Sequence, residues 1–255
     1  MIRVRRVAKS YGRRPVLDDI DLDLPAGGLI GLVGANGAGK STLLSIMARL
    51  LGPDAGTVEV GGLDVRRTDG DELARTLSVL KQDNHLVIRL TVRDLVGFGR
   101  YPHNHGRPTA HDDEVVDRAL EWMDLTGLAD RYLDQMSGGQ RQRAFVAMVL
   151  AQETPYVLLD EPLNNLDMAH AVAMMRRLRG ASRELGRTVV VVLHDVNMAG
   201  AWADRIVALR EGRIVAQGAP EEIMTRRCLS TVFGMDVPVH EIDGRRVALV
   251  WGREP

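Results

Sequence analysis

The chain has 255 residues, 45% apolar and 26% charged, enough for one large domain with a sizeable core or for two small ones. A net charge of −1 gives no general attraction to nucleic acid or to an anionic membrane face, and the lone Cys228 excludes an internal disulfide and fits a reducing compartment such as the cytosol. No basic-then-apolar leader opens the sequence, and no apolar run approaches the roughly 20 residues needed to span a bilayer, so a membrane role would have to come through a partner.

In chain order, the first thirty residues alternate, as in VRRV and LDDIDLDL; a period of two predicts strands with one wet face and hence an antiparallel sheet. Four later runs are continuously apolar: LIGLV (29–33), LSVL (77–80), YVLL (156–159) and VVVVL (189–193). Such runs predict strands buried on both faces, as in a parallel sheet. KSTLLSIMARLL and AHAVAMMRRLRGASREL predict helices, and residues 91–152 read as helical throughout. The expected architecture is an α/β core with a helical insertion between the second and third apolar strands. After 236, VPVHEIDGRRVALVW alternates around Asp243-Gly244 and predicts a hairpin, too short for an appended regulatory domain.

Each apolar run leads into polar residues: a glycine loop after LIGLV, Lys81-Gln82 after LSVL, Asp160-Glu161 after YVLL, His194-Asp195 after VVVVL. Ligands of open α/β sheets lie outside the carboxyl ends of the strands, so these residues should share one crevice.

The glycine loop, GANGAGKST at 34–42, satisfies G-x-x-x-x-G-K-[ST] between a strand and a helix. Lysine occurs only at 9, 40 and 81, which makes a chance lysine motif improbable. Backbone N–H groups freed by Gly34, Gly37 and Gly39 can close around phosphate oxygens at a helix start, Lys40 supplies charge to the outer phosphates, and Ser41 offers a hydroxyl to Mg²⁺ while Thr42 donates to a further phosphate. Asp160 suits an anchor for Mg²⁺, and Glu161 a group that polarises an attacking water. Gln82 can bind Mg²⁺ or water and report on a γ-phosphate. His194 can bond a γ-phosphate oxygen and steady the base. Tyr11 can stack on a purine.

A second glycine stretch, Ser137-Gly138-Gly139-Gln140, also opens a helix and forms another anion-binding end. Two copies packed head to tail would let it cover the partner's γ-phosphate.

Tyr11, GANGAGKST, Gln82, MSGGQ, VLLDEP, Asn165-Leu166-Asp167 and His194 resemble, in order and spacing, the nucleotide-binding subunits of ABC (ATP-binding cassette) transporters, over residues 2 to 235. The resemblance implies a P-loop NTPase fold: a RecA-like parallel core, an N-terminal antiparallel β subdomain and an inserted α-helical subdomain at about 85–154, all within 1–236, with 237–255 as a hairpin extension. It implies ATP and Mg²⁺ as cofactors, with Ser41, Gln82 and Asp160 at the metal. Further implied are an adenine-stacking Tyr11, a Walker A loop including Asn36, a Q-loop Gln82, signature residues Ser137 to Gln140, Walker B Asp160, catalytic Glu161, D-loop Asp167 and switch His194. Met136 stands where Leu is commoner and Ala35 where Pro is commoner; neither removes a phosphate contact.

KQDNH, TVRDLVGFGRYPH and DEPLNNLDMAH are similar to the ATPases of iron-chelate (siderophore) importers, within a group that also carries haem and cobalamin. That implies a peripheral subunit on the cytoplasmic membrane face, paired with a second copy and with transmembrane permease subunits, indirectly with a substrate-binding protein, and not with nucleic acid. Segment 85–108 would face the permease. Alternatives are another ABC importer or exporter, a non-transport ABC ATPase, and a P-loop kinase, which would leave MSGGQ without a role. His103, His105 and His111 read as exposed loop residues, without the carboxylate or Cys spacing of a metal site.

Overall fold

The continuously apolar runs lie side by side as the central sheet. The computed structural model describes residues 1–82, 88–164 and 166–250. It begins β1 (Ile2–Tyr11), β2 (Arg14–Leu24), β3 (Gly28–Val33), α1 (Lys40–Met47), β4 (Ala55–Val60), β5 (Leu63–Asp64), α2 (Gly70–Thr76) and β6 (Leu77–Leu80). Helices follow: α3 (Val92–Phe98), α4 (Tyr101–Asn104), α5 (Ala110–Trp122) and α6 (Gly138–Ala151). The chain then alternates through β7 (Tyr156–Leu159), α7 (Met168–Glu184), β8 (Thr188–Val192), α8 (Val196–Trp202), β9 (Arg205–Arg210) and β10 (Arg213–Gly218), and ends in α9 (Pro220–Ile223), α10 (Arg226–Phe233), β11 (Val239–Ile242) and β12 (Arg245–Ala248).

The central sheet has the order β10-β9-β3-β8-β7-β6, parallel from β9 to β6 and antiparallel at β10. Successive residues of a strand face opposite sides. Leu29, Val33, Val157, Leu159, Val189 and Val191 enter one core with α6 and α7; Ile30, Leu32, Leu158, Val190 and Val192 enter a second core with α1 and the antiparallel sheet. Both sides of β3, β7 and β8 are covered, so their positions are apolar except where a side chain finds a partner, as the Thr188 hydroxyl does in accepting from Gly27 N (2.8 Å). Each fully buried Val or Leu contributes about 1.5–3 kcal/mol, and Val190→Asp would bury an unpaired carboxylate in the second core.

The antiparallel sheet has the order β2-β1-β4-β5. Ile2 pairs with Leu24 and Val60, and Val4 with Leu22 and Val58, so the inward positions are fully apolar. The strand at 55–60 and the hairpin of β9 and β10 were not anticipated. The hairpin carries a signal of its own: the apolar run IVAL at 206–209, then Glu211-Gly212 with φ of 50 and 77, the two positive values of a tight hairpin turn.

The inserted stretch is helical but interrupted by 3₁₀ turns at Thr126–Leu128 and Leu133–Gln135. Capping boxes begin α3 (Thr91/Asp94), α5 (Thr109/Asp112) and α6 (Ser137/Gln140). The expected lower bound of the insertion, residue 85, lies outside the described residues. His103 and His111 lie in helices, correcting the loop expectation: Pro102 sits in the first turn of α4, and the Thr109 box starts α5 a few residues later. β11 and β12 pair antiparallel across a turn at Asp243-Gly244, φ 50 and 72. This hairpin is tied to α8, since Ala248 N donates to Asn197 Oδ1 (2.7 Å) and Asn197 Nδ2 donates to Ala248 O (3.0 Å). Among the described residues no helix is long and apolar enough to cross a membrane.

Candidate nucleotide site

The site is built where β3, β6, β7 and β8 end. After Val33 the backbone turns at Gly34 (φ 144), where a Cβ would lie 2.1 Å from Leu209 O. It enters α1 through Gly39 (φ 101), where a Cβ would meet Leu17 Cδ2 at 2.6 Å and Val16 O at 2.8 Å. The loop is therefore pressed between β2 and the end of β9, a path open to glycine alone at these two points. Lys40 Nζ donates to Gly34 O (2.9 Å) and Ala35 O (3.0 Å), closing the loop on itself. Burial lowers the Lys40 pKa, against the pull of Glu161 and Asp160.

The loop opens into a cleft of ≈ 1010 Å³ lined by Tyr11, Asn36, Gly37, Gly39, Lys40, Ser41, Thr42, Glu161 and His194. Tyr11 is the last residue of β1 rather than part of the turn after it, and is 55% exposed. Arg210, Glu211 and Gly212 from the β9–β10 turn, with Val232, Phe233 and Gly234 from the end of α10, also line the cleft. These wall residues were missed; nothing in their local sequence separates them from an ordinary hairpin and helix end.

Ser41 Oγ donates to Asp160 Oδ1 at 2.8 Å, joining the P-loop helix to the end of β7. Burial raises the Asp160 pKa; the Ser41 hydrogen bond opposes this, while the neighbouring Glu161 carboxylate adds to it. Gln82 lines a small pocket beside Asp160. A hydroxyl next to a carboxylate and an amide is an all-oxygen donor set of the kind Mg²⁺ takes when phosphate and water complete its shell. Among the described residues no group of three His, Cys, Asp or Glu side chains is placed to hold a metal ion.

Glu161 is 8% exposed, and its backbone is left-handed (φ 52). Its Oε1 lies 2.7 Å from His194 Nε2, and its Oε2 accepts from Gln82 Nε2 (2.8 Å) and Asn164 Nδ2 (2.5 Å). Three strand ends thus converge on one carboxylate. Asn164 was not anticipated, although an Asn three residues after the carboxylate within a turn is a signal that could have found it.

Ser137, Gly138, Gly139 and Gln140 are held elsewhere. Ser137 Oγ accepts from Gln140 N (3.2 Å), Gln140 Oε1 accepts from Ser137 N (3.0 Å), and none of the four lines the cleft. Gly139 packs against the next loop: a Cβ there would lie 3.0 Å from Leu166 Cδ2. Asp167 caps α7, accepting from His170 N (2.8 Å), and stands 2.8 Å from His170 Nδ1; these contacts lower its pKa. Neither Asp167 nor the second glycine stretch belongs to this chain's own cleft. Asn165 lies outside the described residues.

The sequence model of the ABC transporter family matches residues 17–164. The petrobactin import ATP-binding protein YclP of Bacillus subtilis (strain 168) is 48% identical over 98% of this chain and 99% of its own length. The ferric enterobactin transport ATP-binding protein FepC of Escherichia coli (strain K12) is 41% identical over 92% and 87%. Among solved structures, a chain from a transporter described as metal-chelate type, in an inward-facing conformation, superimposes with a TM-score of 0.83 at 27% identity, over 97% of both chains. The ATP-binding cassette MJ0796, a dimer bound to ADP and Pi after hydrolysis, gives 0.77 at 28% identity over 86% of this chain and 99% of its own. By its P-loop, its strand-end carboxylates and these similarities, the chain belongs to the ABC transporter family, as an ATP-binding, ATP-hydrolysing subunit whose reaction is coupled to transport.

Proposed function

We propose that this chain energises import of a ferric siderophore or closely related iron chelate, as a head-to-tail pair on the cytoplasmic side of a membrane permease served by a substrate-binding protein. The observation that carries the substrate class is similarity over nearly the whole chain to two petrobactin import ATP-binding proteins, at 48% and 49% identity. We read residues 1–236 as the nucleotide-binding unit and 237–255 as its hairpin extension.

In this reading the P-loop amides from Gly34 to Thr42 would hold the phosphates, Lys40 would leave its loop carbonyls for a phosphate oxygen, and Ser41 and Asp160 with Gln82 would hold Mg²⁺, which would supply charge to the phosphates. Bound ATP supplies the phosphoanhydride that is cleaved. Glu161 takes a proton from the attacking water, and His194 holds Glu161. The separation of Ser137–Gln140 from the chain's own cleft supports a role in trans, with the α6 N-terminus and Asp167 meeting the partner's nucleotide.

Co-purification with the permease, followed by ATPase assay with binding protein loaded in turn with ferric siderophores, haem and cobalamin, tests the proposal. Stimulation by a ferric siderophore supports it. Stimulation by haem or cobalamin alone overturns the substrate class.

A further inference from the structure

The two oxygens of the Glu161 carboxylate are not equivalent. Oε2 accepts two side-chain amides, Gln82 Nε2 and Asn164 Nδ2, while Oε1 accepts neither and stands 2.7 Å from His194 Nε2. A carboxylate oxygen offers about two lone-pair sites, so Oε2 is filled and Oε1 keeps one open. The free acceptor of this carboxylate therefore lies on the His194 side.

The two donors on Oε2 differ in kind. Gln82 comes from beyond the end of β6, on another strand, and its bond spans elements. Asn164 belongs to the same turn as Glu161: Asn164 N donates to Glu161 O (3.2 Å), and its side chain folds back onto the carboxylate of the same residue. That turn also holds Glu161 left-handed, a backbone state that persists only where the surroundings fix it. A partner in the same turn moves with the carboxylate; a partner on another strand can part from it.

We propose that Asn164 is a positioning residue for hydrolysis: it anchors Glu161 Oε2 throughout the cycle, so that Oε1 presents its open lone pair to the attacking water even when Gln82 lets go. The inference rests on the reading of Glu161 as the base. Asn164 does not line the P-loop cleft and acts through Glu161.

The test compares MgATP turnover by the full chain and its Asn164→Ala, Asn164→Asp and Glu161→Gln variants, with thermal melting and ATP binding as controls. Asn164→Asp keeps the shape and loses the donor, so it carries the test if Asn164→Ala folds poorly. Expected is a fall in kcat of about tenfold or more with KM for ATP within about twofold, the signature of an interaction needed for chemistry rather than binding. A merely structural residue would not couple to the base, so Asn164→Ala should add nothing further in a Glu161→Gln background. Wild-type kcat in Asn164→Asp, or a full additive loss in the double variant, would overturn the role of Asn164. Normal turnover by Glu161→Gln would instead overturn Glu161 as base, a separable failure.

Discussion

Ser41 Oγ and Asp160 Oδ1 lie 2.8 Å apart across 119 positions of sequence, one at the start of α1 and the other at the end of β7. In the proposed reading this oxygen pair is the Mg²⁺ seat, held in place before the ion arrives. Charge-assisted bonds of this type are worth about 1.5–3 kcal/mol each, so Asp160→Asn, which keeps the shape and removes the charge, should raise the Mg²⁺ concentration for half-maximal ATPase by roughly 10- to 150-fold. Magnesium titrations of the two proteins that superimpose would refute the seat.

Tyr11 faces the cleft from the end of β1, and Phe233 lines the same cleft from the end of α10. A purine lodged there would stack on Tyr11. Base-on-aromatic stacking contributes about 1–3 kcal/mol, so Tyr11→Ala should weaken ATP binding roughly 5- to 150-fold while Tyr11→Phe leaves it near wild type. Fluorescence titration with ATP and with triphosphate alone checks this: the loss should appear for ATP only.

Much of this site was legible in the sequence, for a physical reason. LIGLV, YVLL and VVVVL are buried on both faces, so their composition declares a parallel sheet, and a parallel sheet puts its ligands at the carboxyl ends, where Lys40, Asp160, Glu161 and His194 stand. The Phe233 wall was not legible because it is made by tertiary packing of a helix end. Asn164 was hidden for a different reason: its role depends on Glu161 adopting a left-handed backbone, which a glutamate's identity does not announce. The helical insertion was readable as helix, yet its breaks at Thr126–Leu128 and Leu133–Gln135 were not, since apolar periodicity persists across short 3₁₀ turns.

Arg100 and Asp112, both buried, form an ion pair at 2.9 Å inside the helical insertion, with Glu153 Oε2 3.0 Å from the same guanidinium. Burial pushes the Asp112 carboxyl up, but the hydrogen bonds from Arg100 and Thr109 outweigh it and leave its pKa well below the usual carboxylate value. A carboxylate depressed in the folded state contributes stability that is fully present above its unfolded pKa of about 3.9 and is lost as pH falls towards the folded value. Asp112→Asn should cost about 3 kcal/mol at pH 7, because the Arg100 charge remains buried with Glu153 alone, and the gap from wild type should narrow below about pH 4. Urea unfolding at pH 7 and pH 3.5 reads both effects. A gap that stays constant with pH would refute the assignment.

Ser137 caps α6 on a surface apart from the chain's own cleft, and its partner in the capping box, Gln140, leaves the helix N-terminus exposed. In the proposed reading this exposed helix start, which does not line its own chain's cleft, approaches the phosphates held by a second copy. With Cys228 replaced by Ser, Ser137→Cys and Asn36→Cys in one chain should form an intermolecular disulfide when ATP is trapped in a Glu161→Gln background, and should form little without nucleotide. Because the two cysteines of one chain lie on different surfaces, the product should run as a dimer on a non-reducing gel. A product that stays monomeric under ATP, with turnover independent of protein concentration down to the nanomolar range, would mean that one chain completes its own site and that the second glycine stretch has some other purpose.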